Sequence, residues 1–360
     1  MSVAKKPSPG KDDTARDPAS VRVWVLIGDK AGDNAQVLAL AAALGRPYRV
    51  VRLTYNRAYR LWNVALGARL VSLDCERSDA LEPPWPDLVI AVGRRAVPVA
   101  RWIKARSGGR TRLVHLGRPR APYRWFDLIV TTPQYAVPAR ANVMHLPLPL
   151  VAERARHPAT RPPGQHLVLL VGGDSGPWRL DADRARALAR QAAQLARAAG
   201  GRLTVATSRR TGAAATEALA TALPPEDTLH AYGEPGVDYD TILATADGFV
   251  VTADSVSMMA DAAATSRPLL LARLDHHPDP WQRLAAATRI LPGYACAADL
   301  GLVARPRDLM AVADALVAAG HARWLDDNSD LAPVLPYDGA AARARVVARV
   351  RALLDGMERS

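Results

Sequence analysis

The chain has 360 residues and a mass of 38.6 kDa, with 49% hydrophobic and 23% charged residues. This composition excludes a disordered or fibrous protein for most of the chain, and the length fits two domains better than one. No stretch reaches the roughly 18 uncharged apolar residues of a membrane-spanning helix. Cys75 and Cys296 are too few for a disulfide framework or a cysteine zinc site. We therefore expect a cytoplasmic protein without a secretory leader.

The net charge of +12 favours anionic partners such as nucleotide phosphates, nucleic acid or an acidic membrane surface. The chain holds 42 arginines and 5 lysines. A GC-rich genome produces the same bias, so the charge alone does not establish a binding role. The arginines are spread singly, without a compact basic run interleaved with aromatic residues. We therefore predict that nucleic acid is not a partner.

The first half of the chain predicts one α/β domain. Residues 1–20 are polar and predict a disordered tail. From residue 21 the sequence repeats strand, turn and helix, which is typical of a parallel sheet covered by helices. These elements define an N-terminal domain over 21–150. Its predicted strands are 21–28, 49–55, 87–93, 112–117 and 127–132, and its predicted helices are 36–45 and 94–107.

The second half predicts another domain of the same kind. The stretch 147–166 is rich in Pro and Arg without an apolar period, so we place a linker at 151–165. The second Rossmann-like domain is expected over 166–335. An amphipathic helix within 336–360 is expected to pack back across both domains. The second domain's predicted strands are 166–173, 202–208, 228–233, 248–253 and 268–274, and its predicted helices are 180–201, 211–224, 239–246 and 255–267.

The loop between the first strand and the first helix reads GDKAGDNAQ. Gly32 allows a tight turn there, and Asp33 or Asn34 is expected to cap the helix. The loop is not G-x-G-x-x-G, and the second strand carries Arg52 rather than a ribose-binding acid, so nicotinamide and flavin binding are disfavoured. Both a capped helix and a binding site remain open for this loop.

Three loops of the second half carry groups suited to anions. VGGDSG lets the backbone approach a phosphate, although no Walker lysine follows, and TSRRT offers hydroxyls and guanidiniums. TADSVS opens a helix with Asp254 or Ser255 as its cap, and Asp261 lies two turns further on, where a carboxylate can meet a ribose diol. Together they predict a nucleotide diphosphate site comprising Gly172, Gly173, Ser175, Ser208, Arg209, Arg210, Asp254, Ser255, Ser257 and Asp261.

Other candidates keep more than one interpretation. His115 ends a predicted strand and is either an acid, a base or a core histidine. His276 and His277 lie among prolines, where a turn is a better interpretation than a metal site. The aromatic residues between Tyr55 and Leu66 fall at helical spacing with arginines beside them. That helix either faces the core or rests on an anionic membrane surface.

Five segments resemble those of a known family in order and spacing. They are GDKAGDNAQ, the GRR after a middle strand, VGGDSGPWRL, TSRRT and TADSVSMMADA, within a resemblance that extends over 21–355. The family is that of the plant mitochondrial-fission factor elongated mitochondria and its bacterial relatives, often labelled nucleoside-diphosphate-sugar epimerases. The fold of this family looks like the glycosyltransferase-B fold, in which two Rossmann-like domains face each other across a cleft. In this respect the family is similar to the transferase that adds N-acetylglucosamine in peptidoglycan synthesis.

The resemblance implies that the C-terminal half binds a nucleoside-diphosphate sugar, with a UDP-sugar as the expected donor. It places the donor phosphates at Gly172, Gly173, Ser175, Ser208 and Arg209, and the nucleotide at Ser255, Ser257 and Asp261. Asp261 departs from the family's usual glutamate by one methylene. The acceptor side is expected to comprise Asp29, Gly32, Asp33, Asn34, Arg94 and Arg95.

The resemblance also implies a transfer reaction and the residues that would take part in it. An inverting transfer needs a base, for which Asp33 is the first candidate, followed by His115 and Asp29. No metal or other cofactor is expected to be required, because a helix N-terminus and arginines can neutralise the leaving diphosphate. We predict a hexosyltransferase acting on an envelope or membrane-associated acceptor, peripheral at the inner membrane. An epimerase and a non-catalytic scaffold that recruits a partner protein are the alternatives.

Overall fold

The computed structural model describes residues 21–151, 166–235, 238–278, 280–287, 293–303 and 305–358. Within them the first sheet contains β1 (Val23–Ile27), β2 (Tyr48–Arg52), β3 (Leu88–Val92), β4 (Arg112–Leu116), β5 (Leu128–Thr131) and β6 (Val143–His145). The second sheet contains β7 (His166–Leu170), β9 (Arg202–Ala206), β10 (Thr228–His230), β11 (Gly248–Thr252), β12 (Leu269–Ala272) and β14 (Arg323–Trp324). A small antiparallel pair joins β8 (Trp178–Arg179) and β13 (Asp275–His276).

The helices connect successive strands or follow them. In chain order they are α1 (Ala31–Ala43), α2 (Asn63–Leu66), α3 (Gly93–Arg106), α4 (Ala182–Ala198), α5 (Ala213–Ala222), α6 (Tyr239–Thr245), α7 (Val256–Ala263), α8 (Pro280–Ala287), α9 (Tyr294–Asp299), α10 (Met310–Ala318) and α11 (Gly339–Glu358). Among the described residues, no helix combines the length and the apolar character needed to cross a bilayer.

Both six-stranded sheets are parallel and doubly wound. The first has the order β2-β1-β3-β4-β5-β6, and the second has the order β10-β9-β7-β11-β12-β14. The strand order therefore reverses beside β1 in the first sheet and beside β7 in the second. The loops that leave such strands splay apart and open a crevice at the carboxyl edge of the sheet. This arrangement confirms the predicted α/β class with two Rossmann-like domains.

One continuous apolar core joins the two domains and α11. Leu40 of α1, Phe249 of β11 and Val346 of α11 belong to the same cluster of buried residues. On the N-terminal domain, the Arg351 guanidinium also donates to the Leu44 carbonyl over 3.1 Å. The predicted C-terminal helix therefore packs back onto the N-terminal domain and belongs to the apolar core that both domains share.

The sequence misses the shortest strands. The strands β6 and β14 have three and two residues, too few to display a period, yet they complete the far edges of the two sheets. The stretch 147–166 begins with part of the core, because its Leu148 and Leu150 are buried, as is Leu146 just before it. The prediction that 147–166 lacks an apolar period was therefore wrong for its first residues. Positions 152–165 lie outside the described residues.

The expected helix from Tyr55 to Leu66 was also wrong. Tyr55 pairs with Leu73 in an isolated bridge, a 3-10 turn covers Arg57–Arg60, and α2 is one short turn. The chain is extended at Leu61, with φ −63° and ψ 157°, which separates the two turns. The aromatic spacing therefore arises from two turns joined by extended backbone.

Candidate functional site

The carboxyl ends of β7, β9 and β11 meet at the point where the second sheet reverses its order. The Gly172 amide donates to the Thr252 hydroxyl over 2.7 Å, and the Gly173 amide donates to Asp254 Oδ2 over 3.1 Å. From the β9 loop, the Thr211 hydroxyl donates to the Gly172 carbonyl over 2.6 Å. These bonds join the three loops that the sequence singles out.

Asp254 lies at the centre of these loops and is buried. Its Oδ2 accepts from Arg210 Nη1 over 2.6 Å, and a Cβ added at Gly172 would overlap its carboxylate. A Cβ at Gly173 would overlap the backbone of Arg210, which shows that glycines are needed here for close approach. Burial raises the pKa of the Asp254 carboxyl, while Arg210 opposes that rise. Asp254 and Arg210 therefore bind each other and fix the loops.

The remaining donor candidates lie around this centre. The Ser208 hydroxyl donates to the Gly172 carbonyl, and the Ser175 amide donates to the Trp178 carbonyl over 3.0 Å. Arg209 is exposed and makes no hydrogen bond or ion pair with the described residues, so its guanidinium is available to a ligand. Asp261 Oδ2 accepts from the Tyr239 hydroxyl over 3.2 Å.

Helix α7 begins between the two domains. Its N-cap residue is Ser255, one of the two predicted cap positions, although no side chain donates or accepts a capping hydrogen bond there. The carboxylate of Asp254 is engaged elsewhere, which leaves the first amides of α7 without an acceptor from that residue. In the opposite domain, Gly32 faces Ser257, whose Oγ is 3.6 Å from a Cβ built on Gly32.

A cavity of about 400 Å³ occupies the space in front of α7. The carboxyl ends of β1, β3, β4 and β5 form most of its wall, and Val256, Ser257 and Arg307 close it from the C-terminal domain. Its volume is within the usual range for small-molecule sites. The structure thus brings together Asp29, Asp33, Asn34, Arg94, Arg95 and Ser257, all of which line the cavity.

The loop after β1 differs from its predicted capped form. Helix α1 begins at Ala31 after Lys30, without a side-chain cap, so neither Asp33 nor Asn34 is its N-cap. The Asn34 amide instead holds Gly28, accepting from its N–H over 3.0 Å and donating to its carbonyl over 2.8 Å. Asp33 faces the cavity, and burial raises the pKa of its carboxyl.

The arginines that follow β3 have different environments. Arg95 binds Asp29, with Nη1 and Oδ2 3.0 Å apart, whereas Arg94 donates to the Tyr59 carbonyl over 2.6 Å. Below them, buried Asn63 donates to the carbonyls of Arg94 and Pro119, each over 3.0 Å. Asn63 thereby fixes the β3 loop relative to the β4 loop.

Sequence reasoning missed several cavity residues, and it also missed Asn63, which lies below the cavity wall. Asn63 was hidden inside the expected helix, and Arg307 comes from a region without a predicted element. The available signal was GRPR after β4, which repeats the pattern of glycine and arginines that GRR shows after β3. The missed cavity residues include Arg118 and Arg120, which that pattern marks, and Thr131, Gln134 and Arg307, which it does not mark.

His115 does not reach the cavity. It is fully buried, and its ring lies 5.1 Å from that of Phe126. Neither ring nitrogen has a hydrogen-bond partner among the described residues, and burial lowers the pKa of His115 to about 3. Its environment is that of a neutral core histidine, so of the three candidate bases Asp33 and Asp29 line the cavity and His115 does not.

A group of three His, Cys, Asp or Glu side chains able to hold a metal ion is not found within the described residues. His276 instead packs against Trp178, with ring centroids 4.7 Å apart, in the small antiparallel pair.

Comparisons with known proteins place the chain among relatives. The profile of the family described as Mitochondrial fission ELM1 matches residues 31–300. An uncharacterized protein of Rickettsia prowazekii (strain Madrid E) is 32% identical over 111 residues, which make up 31% of this chain and 31% of that protein. The match thus spans about a third of that relative's length.

Two solved structures align along most of the chain. MurG of Acinetobacter baumannii is 16% identical, with 94% of this chain and 93% of that chain covered and a TM-score of 0.42. The UDP-GlcNAc 2-epimerase from Neisseria meningitidis, bound to UDP-GlcNAc, is 10% identical, with 92% and 99% covered and a TM-score of 0.43.

Proposed function

We propose, from the premise that the chain belongs to the mitochondrial fission ELM1 family, that it is a glycosyltransferase-like protein. In this proposal the C-terminal domain binds a nucleoside-diphosphate sugar, with a UDP-sugar as the donor. The sugar passes to an acceptor held in the cavity of the N-terminal domain.

The observation that carries the proposal is the crevice beside β7. In doubly wound sheets, ligands bind outside the carboxyl ends of the strands at the point where the order reverses. Here Gly172 and Gly173 keep that edge free of side chains. The N-terminus of α7 and the exposed Arg209 add partial and full positive charge beside it. These groups suit a diphosphate.

Asp33 supplies the base in this proposal. Burial raises the pKa of its carboxyl, which makes the ionised form a stronger base toward an acceptor hydroxyl. The acceptor oxygen forms a bond to the anomeric carbon while the bond from that carbon to the phosphate oxygen breaks. The proton passes to Asp33, and the leaving diphosphate takes the electron pair and is stabilised by α7 and Arg209.

A calorimetric titration with UDP, GDP, CDP, ADP and TDP tests the donor site. We expect one diphosphate to bind selectively and Arg209→Gln to weaken its binding by about tenfold or more, since a charge-assisted bond is lost. Arg202→Gln is the matched control, because Arg202 is an exposed arginine at the opposite end of β9. Both variants should retain the melting temperature of the wild type.

Absence of binding for all five diphosphates, with and without magnesium, would overturn the transferase proposal in favour of a partner-recruiting scaffold. Binding that both arginine variants weaken equally would instead reflect non-specific attraction to a basic protein.

The proposed acceptor is membrane-associated, and one surface supports an anionic membrane as partner. We call it the basic-apolar strip, and it comprises Arg57, Arg60, Leu61, Trp62, Arg69 and Val71, all exposed. The Asn56 side chain donates to the Val71 carbonyl over 2.8 Å and so ties the two parts of the strip together. Apolar side chains flanked by arginines suit a negatively charged lipid surface.

Co-sedimentation with phosphatidylglycerol vesicles tests this partner. Trp62→Ser should reduce the bound fraction, because Trp62 is 49% exposed and its ring can enter the interface. Tyr232→Ser is the control, since Tyr232 is 65% exposed on the other domain. If the two variants sediment equally, the strip is not the docking surface.

A further inference from the structure

The wall of the cavity carries more positive charge than its acids can balance. Asp29 pairs with Arg95, and Asp33 lies 4.0 Å from Lys30 Nζ. Four further arginines line the same cavity and have no carboxylate within ion-pair distance among the described residues. We call Arg94, Arg118, Arg120 and Arg307 the arginine cluster.

Members of the cluster lie close enough to repel one another. Burial, together with the nearby charge of Arg120, lowers the pKa of Arg118 to about 10. Burial likewise lowers the pKa of Arg94, and Arg120 again contributes. Arg120 therefore lies near both, and its backbone is in the left-handed region at φ 51°. Such a conformation is costly for a residue other than glycine, so the fold holds Arg120 in place against that cost.

The remaining members are joined through one aromatic ring. The guanidinium carbons of Arg118 and Arg307 lie 5.5 and 5.7 Å from the ring centroid of Tyr135. Because Arg118 belongs to the first domain and Arg307 to the second, the cluster spans the cleft. Their neutral hydrogen-bond partners, the Arg305 carbonyl and the Gln134 amide, orient the side chains without cancelling their charge.

A buried hydroxyl points to a ligand independently of the charge. Thr131 lines the cavity and is 1% exposed, and its Oγ1 has no hydrogen-bond partner within the described part of the chain. A buried hydroxyl without a partner is costly and uncommon in folded proteins. An oxygen-rich anion in the cavity would accept its proton.

We propose that the arginine cluster and Thr131 bind a phosphate group, as a monoester or a diphosphate, carried by the acceptor. That the phosphate belongs to an acceptor rests on the proposed function, whereas the existence of an anion site in the cavity does not. A phosphate monoester carries almost two negative charges at neutral pH and accepts forked bonds from guanidiniums, so it balances the cluster better than one carboxylate does. The acceptor is then a phosphorylated sugar or lipid.

Calorimetry with inorganic pyrophosphate tests the site, in the presence of saturating UDP so that the donor site is filled. We expect pyrophosphate to bind to the UDP-loaded protein and Arg120→Gln to weaken that binding by about tenfold or more. Arg120 has no partner whose loss would unfold the described structure. Arg124→Gln removes an exposed arginine outside the cavity lining and is the matched control.

A second arm separates the two sources of phosphate. Methyl phosphate represents a soluble acceptor, and phosphatidylcholine vesicles with and without phosphatidic acid represent a lipid-borne one. Binding that Arg120→Gln weakens in either arm supports the site and identifies its source.

Two results would overturn the inference. One is pyrophosphate binding that Arg120→Gln and Arg124→Gln change equally, and the other is competition between pyrophosphate and UDP, which would assign the cluster to the donor. Failure of the proposed function is distinct, because the protein would then bind pyrophosphate in an Arg120-dependent way without binding any of the nucleoside diphosphates.

Discussion

At the scale of single residues, buried polar side chains decide where the cavity loops lie. Asn63 is 2% exposed and joins the carbonyls of Arg94 and Pro119, so one amide positions two arginine-bearing loops. Asn34 does the same for the end of β1 through Gly28. In each case a satisfied amide compensates for its own burial. None of these pairings is visible in the sequence, because their partners are up to 56 positions apart.

The buried His115 makes the free energy of unfolding depend on pH. Its pKa is about 3 in the fold and 6.5 in its ordinary state, so below pH 6.5 the unfolded chain binds a proton that the folded chain does not. The contribution of the neutral His115 to the free energy of unfolding is therefore complete above pH 6.5 and is lost as the pH falls toward 3. We expect His115→Leu to remove up to about 1.4 kcal/mol per pH unit from the slope of unfolding free energy.

Denaturant unfolding of both proteins between neutral and acidic pH measures this slope. Circular dichroism at neutral pH provides the control for the fold. If the free energy of unfolding changes with pH by the same amount in His115→Leu and in the wild type, His115 is not a neutral core residue.

At the scale of elements, the glycine loop after β7 belongs to a unit made by three strands. The unit has Asp254 at its centre, reached by the Gly173 amide and by Arg210. Sequence reasoning identified all three loops, because glycine, hydroxyl and arginine residues follow apolar runs. It assigned Asp254 to a helix cap or a ligand, since a linear pattern does not show that two other loops surround this carboxylate.

Gly172→Ala tests this unit. The new Cβ would overlap the Asp254 carboxylate, so we expect the free energy of unfolding to fall by about 1–3 kcal/mol. The same substitution in an Asp254→Ala background should cost less, because the obstructing carboxylate is gone. Thermal denaturation of the four proteins gives the comparison.

Gly356→Ala is the matched control, because nothing lies within 4 Å of a Cβ at that position in α11. Its stability should equal or slightly exceed that of the wild type. An equal cost of Gly172→Ala with and without the Asp254 carboxylate would show that the overlap is not the cause.

At the scale of the whole molecule, the proposed function depends on two sheet edges that face one cleft. The first edge brings Asp33, Arg94, Arg118 and Arg120 to the cavity. The C-terminal domain adds the start of α7 and Arg307 to the cavity lining, and its sheet edge carries the glycine loop. The domains meet through apolar packing and through bonds such as that from the Tyr123 hydroxyl to the Ala298 carbonyl, at 3.2 Å. Arg307 crosses the cleft, so the charge of the cavity is a property of both domains together.

The sequence by itself determined the α/β class, the long strands and the loops that follow them, because apolar runs and turn residues act over a few neighbouring positions. The tertiary structure alone decided that His115 is buried, that Asp254 binds Arg210, and that Arg307 joins Arg118 at one ring. These outcomes depend on strand order and on the approach of two domains. Both bring together residues that are far apart along the chain, and a local sequence pattern carries no information about such contacts.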